Sequence, residues 1–131
     1  MVALDTNVIV RLLTNDDPAQ VDRARALLER ESVWVGLAVL LESEWVLRAV
    51  YQLDRRTIAK ALTAFINLPQ VTVEDDARAR SILELYSSGL DVADAMHLVA
   101  ARASASAFAT FDGALTRRAT ACGVKPPVIV P

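Results

Sequence analysis

Five short apolar runs are separated by stretches of helical period, and few folds accommodate that alternation. The runs are the residues leading into Asp5, then Val33–Val35, Val71–Val73, Phe108–Thr110 and Val128–Val130. Between them, helices are predicted over Val8–Leu13, from Pro18 through Leu28, over Leu37–Val50 and Arg55–Leu68, from Glu74 to Ser87, over Asp91–Ser104 and over Ala114–Cys122. Strands that alternate with helices must cross over to pair in parallel, which predicts a parallel sheet covered by helices on both faces. Pro18 suits the first turn of a helix, with Asp16 or Asp17 as cap. Asn67-Leu68-Pro69 and Ser87-Ser88-Gly89 supply stops. No repeat or linker interrupts the 131 residues, so one domain over 1–131 is expected.

Composition narrows the chemistry. Hydrophobic residues make up 53% and charged residues 23%, a balance that calls for a folded core. With Cys122 as the single cysteine and His97 as the single histidine, an intrachain disulfide and a Cys/His zinc site are both excluded. No basic segment leads into a long apolar run, and none reaches transmembrane length, so a cytoplasmic protein with no membrane partner is expected. The net charge of −2 does not favour bulk electrostatic binding of nucleic acid, but its distribution is uneven. Residues 1–94 hold 15 acids and 10 bases, whereas residues 95–131 hold one acid and four bases. The basic end could face a polyanion.

Four acids stand where an acid is costly. Asp5 and Asp112 each follow a predicted strand, and ligands of α/β sheets bind beyond the C-terminal strand ends. Glu42 lies among Leu40, Leu41 and Trp45, and Asp94 sits one turn into a helix between alanines. Carboxylates against an apolar interior need a hydrogen bond or a cation. Four of them, without histidine or cysteine, favour a hard divalent ion, Mg²⁺ or Mn²⁺, and metal-assisted phosphoryl hydrolysis. Thr6, Asn7 and Thr110 could orient carboxylates or waters.

Plainer roles compete for several of these positions. Asp5 or Thr6 can cap the following helix, and Asp91 is most simply a cap that leaves a supporting metal role open. Glu44 and Arg48 form an i,i+4 pair expected on the surface and worth about 0.2–0.5 kcal/mol. His97 is read as packed beside the sheet, with a ligand or general base as the alternative, and Cys122 as inert.

Taken together, Val2-Ala-Leu-Asp-Thr-Asn7, Val39-Leu-Leu-Glu-Ser-Glu-Trp-Val-Leu47, Asp91-Val-Ala-Asp-Ala-Met-His-Leu98 and Thr110-Phe-Asp112 resemble the PIN-domain ribonucleases, above all the VapC toxins of toxin–antitoxin pairs. The resemblance implies a three-layer α/β/α fold with a five-stranded parallel sheet. It implies Mg²⁺ or Mn²⁺ held by Asp5, Glu42, Asp94 and Asp112, with Glu42 rather than Glu44 turned inward. It also implies endonucleolytic cleavage of RNA by a homodimer, neutralised by a VapB-like antitoxin. Val8, Leu12, Leu40, Leu41 and Trp45 are candidate contacts for the antitoxin's peptide, core packing being the alternative for at least half of them. Some relatives carry a further acid three residues after the fourth; here that position is Leu115, which leaves a second metal open. The rival readings are a PIN-like scaffold that binds RNA or protein without cutting, and a small-molecule phosphatase. The phosphatase lacks a Gly-rich phosphate loop.

Overall fold

A computed structural model describes all residues, Met1–Pro131. The order is β1 (Val2–Ala3), α1 (Thr6–Thr14), α2 (Pro18–Arg30), β2 (Val33–Val35), α3 (Leu37–Ala49), α4 (Arg55–Ile66), β3 (Val71–Val73), α5 (Asp76–Ser87), α6 (Val92–Ala101), β4 (Phe108–Ala109), α7 (Gly113–Ala121) and β5 (Val128–Ile129). The chain divides into two compact units, Met1–Asp76 and Ala77–Pro131.

In the first unit, β1, β2 and β3 form a parallel sheet in that order, with Val2 beside Val33 and Trp34 beside Thr72. Val33 and Val35 turn into the core while Trp34 points outward. α1 packs against α2 and α3, and α3 against α4, burying Ile9, Val10, Val21, Leu40, Leu47, Ile58, Leu62 and Phe65. Local chemistry sets the ends. Asp17 accepts from the backbone N–H of Gln20 at 3.1 Å, with Pro18 beside it, and Asp54 accepts from Thr57 at 2.8 Å. Asn15 closes α1 in the left-handed region at φ 55°, where a short polar side chain is tolerated. Gly36, the N-cap of α3, has no side chain to offer; the carboxylate of Glu74, 37 positions beyond Leu37, accepts from Leu37 N at 2.8 Å. Glu74 therefore caps α3 rather than opening the following helix, which begins at Asp76.

In the second unit, β4 and β5 pair in parallel, with Phe108 beside Val128, and α7 packs against β5. Asp91 caps α6 through Oδ1, accepting from Ala93 N at 2.9 Å and Asp94 N at 3.3 Å. Val92, Ala95, Leu98 and Val99 form its buried side.

The five-stranded sheet expected from the sequence is not what forms. There are two separate parallel sheets, of three and two strands, with helices around them. Hydrophobic period reveals that a strand exists but not which edge it pairs with. β1 and β4 are two residues each, so each offers very few ladder bonds; β1 pairs only with β2, and β4 only with β5. The first strand is also not buried on both faces, since Val2 and Ala3 are exposed. No helix is long and apolar enough to cross a membrane.

Candidate functional site

Each candidate acid has a distinct local setting. Asp5 is the residue at the N-cap of α1, with φ −87° and ψ 160°, yet its carboxylate makes no capping hydrogen bond and stands exposed. The capping role that residue type allows is therefore not the role of its side chain. Behind it, Thr6 is 5% exposed, and its Oγ1 has no hydrogen-bond partner. A buried hydroxyl left unpaired costs about 1–3 kcal/mol, so this position carries a cost that packing alone does not explain. Asn7 is exposed and lines a cavity of about 430 Å³ with Val8, Arg11, Gln20, Arg23, Ala24 and Leu27.

On α3 the two acids face opposite to expectation. Glu42 is exposed, whereas Glu44 is 1% exposed and receives Arg48 Nε at 2.8 Å. Two positions along a helix rotate a side chain by about 200°, so only one of the pair can face the core. The Glu44–Arg48 pair is consequently a part-buried ion pair and not a surface decoration. Among the predicted peptide contacts, Leu40 belongs to the core, Val8, Leu12 and Leu41 are half-buried, and Trp45 is 54% exposed.

The second unit brings three carboxylates within electrostatic reach. Asp94 lies half-buried in the first turn of α6, and burial pushes its carboxyl above the usual range. The negative charges of Asp91 and Asp112 push it further the same way, and His97 opposes them. Asp112 caps α7, its Oδ1 accepting from Leu115 N at 3.0 Å. Its own N–H donates to Thr110 Oγ1 at 3.1 Å, and Thr116 Oγ1 donates to its carbonyl at 3.0 Å. With this cap the helix starts at Gly113, one residue before the predicted Ala114. One carboxylate oxygen of Asp112 is occupied by the backbone, which leaves Oδ2 for another partner. His97 is exposed and stacks on Phe108, with ring centroids 6.5 Å apart and planes 17° apart.

The profile of the PIN domain matches residues 2–121. The chain belongs to the PIN-domain family. No curated protein matches it. In this PIN domain, Asp5 and Glu42 lie in the unit Met1–Asp76, and Asp94 and Asp112 in the unit Ala77–Pro131. No group of three His, Cys, Asp or Glu side chains stands close enough to hold a metal ion. The donor chemistry nonetheless fits a hard divalent cation: oxygen ligands only, with Asp94 held against two like charges. A PIN fold is consistent with nucleic-acid-related activity.

Two features of the site are hidden from the sequence pattern. Glu44 and Arg48 fit a solvent-exposed i,i+4 pair as well as a part-buried one, so the spacing does not disclose that Glu44 is inside. Phe111, within Thr110-Phe111-Asp112, belongs to no apolar run or helical stripe that would mark it, although it is 83% exposed. An aromatic between two turn-forming residues at a strand end is the one signal that points to it.

Proposed function

We propose that this PIN domain is a Mg²⁺- or Mn²⁺-dependent endoribonuclease, a VapC-type toxin that acts as a homodimer and is neutralised by a VapB-like antitoxin. The observation that carries the reading is Asp94: a half-buried carboxylate placed beside two other carboxylates, without a neutralising Arg or Lys among its electrostatic neighbours. Such an arrangement is unfavourable for the protein alone and becomes favourable when a cation arrives.

In this reading Asp94 and Asp112 would hold the ion, and Asp5 and Glu42 are the further carboxylates that the PIN-domain resemblance proposes as ligands. A bound Mg²⁺ or Mn²⁺ supplies polarisation of the scissile phosphate and a water of lowered pKa. Asp91 fixes the start of α6 and so the position of Asp94, and Thr110 orients the backbone that presents Asp112. Asn7 would hold water near the exposed carboxylate of Asp5, and the unpartnered hydroxyl of Thr6 lies in the residue between them. Trp45, with Val8, Leu12 and Leu41, offers apolar surface to an antitoxin peptide.

A second reading is a PIN domain that binds RNA or protein without cutting, favoured by the lack of any three-ligand cluster. Incubating antitoxin-free protein with cellular RNA in Mn²⁺ or Mg²⁺, with a matched chelated sample, separates the two. Discrete cuts that vanish on chelation are expected. A folded protein that leaves RNA intact while binding it supports the silent scaffold.

A further inference from the structure

Phe111 is the most exposed large hydrophobic residue of the chain, at 83%, and stands next to Asp112. Single exposed apolar residues are ordinary, so exposure alone decides nothing. Here, however, the backbone carrying the ring is pinned on its C-terminal side. Asp112 N–H is bonded to Thr110 Oγ1, and Asp112 in turn caps α7. The ring is held out in water by a fixed turn and is not the tip of a loose loop.

A cation stands near the same turn. Arg117 Nη1 lies 3.2 Å from where a Cβ on Gly113 would be, so the guanidinium folds back over the first turn of α7. Cations are disfavoured at that end of a helix, where the peptide dipoles are positive. Arg117 also forms no ion pair to offset this. An exposed aromatic at residue 111 and an unpaired guanidinium over Gly113 thus lie on either side of Asp112 along the chain. Stacking surfaces joined to cationic groups are how proteins grip single-stranded nucleic acid: every base has a π-face, and every nucleotide a phosphate.

We propose that Phe111 and Arg117 form a single-nucleotide cradle beside Asp112, the ring stacking on a base of single-stranded RNA and the guanidinium taking the adjoining phosphate. The proposal rests on the nucleic-acid reading given above and extends it to the positioning of substrate. It also offers a way for a chain of net charge −2 to hold a polyanion next to its own acids.

The test is equilibrium binding of a short single-stranded oligoribonucleotide carrying one 2-aminopurine, in chelator so that no cleavage intervenes. Wild type is expected to quench the probe by stacking. Phe111→Ala should abolish the quench and weaken binding by roughly 5- to 150-fold, with unchanged melting temperature, whereas Phe111→Trp retains both quench and affinity. Arg117→Gln should lower the salt dependence of binding by about one phosphate contact. Unchanged quench and affinity in Phe111→Ala overturn the cradle. So does a variant that binds RNA normally but loses self-association in sedimentation, since Phe111 is then an interface residue. Phe111-dependent binding without chelator-sensitive cleavage sustains the cradle and overturns the nuclease reading. Wild type that binds no oligonucleotide in chelator overturns the cradle, and the nuclease reading is then judged by cleavage in Mn²⁺ or Mg²⁺.

Discussion

Asp16 and Asp94 are both aspartates near helix ends, and the protein treats them in opposite ways. In the first unit, Asp16 accepts a hydrogen bond from the Tyr51 hydroxyl, another from Thr14 at 3.2 Å, and an ion pair from Arg11 at 3.0 Å. Arg11 is itself held by Gln20 at 2.7 Å and Tyr51 at 2.9 Å. The Tyr51 hydroxyl above all, with Thr14 and Arg11, keeps Asp16 below the ordinary carboxylate range. In the second unit, burial and two like charges drive Asp94 the other way. An acid surrounded by donors completes its own structure. One surrounded by acids leaves a charge for something else to satisfy, and that difference separates a clasp from a candidate site.

The largest effect that can break the comparison is on turnover. Asp94→Asn should lower RNA cleavage by more than about 10²-fold while the far-UV circular dichroism stays unchanged, because a metal ligand is weakened at nearly constant volume. Asp16→Asn should leave the rate essentially unaltered. Equal losses in the two variants would erase the distinction.

Next in size is the buried acid of α3. Arg48→Met strips Glu44 of its partner and should cost roughly 2–3 kcal/mol in urea unfolding. That is discounted from the about 3–5 kcal/mol of a fully buried pair, because Arg48 is half-exposed. A change within a few tenths would mean that water reaches Glu44.

Smaller still, Asp91 can be divided into cap and charge. Asp91→Ala should destabilise by about 1 kcal/mol, whereas Asp91→Asn keeps an N-cap and should be nearly neutral. The asparagine should also bring the Asp94 carboxyl closer to its usual range, read by carbon NMR of the side chain, since one like charge is gone.

The smallest effect is a difference in sign with pH. Asp16 and Asp54 have lowered folded-state values, so their stabilisation is present above the ordinary 3.8 and is lost as pH falls through those lower values. Asp94 is raised, so its folded form favours the proton. Its contribution is fully present below 3.8 and is lost as pH rises from there through its raised value. The stability difference between Asp94→Asn and wild type should therefore grow over the window just above pH 3.8, while that for Asp16→Asn should change only below it.

These contrasts also show what sequence periodicity can carry. Helix starts marked by a local side chain, such as Asp17 before Pro18 or Asp54 before Arg55, fall where the sequence places them, because donor and acceptor lie three residues apart. The cap on α3 cannot be read this way, since Glu74 arrives from 37 positions beyond the N–H it accepts. Nor can the facing of Glu42 and Glu44: α3 is apolar around much of its circumference, so no clear stripe assigns either acid to the core. Strand positions are readable from β-branched runs such as Val71-Thr72-Val73, but the partition into two sheets depends on pairing between distant segments. Family membership is legible in four short motifs taken together, and the profile match over residues 2–121 agrees with it.

The central claim is that Asp94 holds a charge destined for a divalent cation, and thermal unfolding of wild type and Asp94→Asn in chelator and then in rising Mn²⁺ tests it most directly. Without metal the asparagine variant should melt higher, since a like-charge cluster has been relieved. With metal, wild type should gain stability as its folded state binds the ion, and the variant should gain little. Parallel curves for the two proteins, with no response specific to Asp94, would contradict the account.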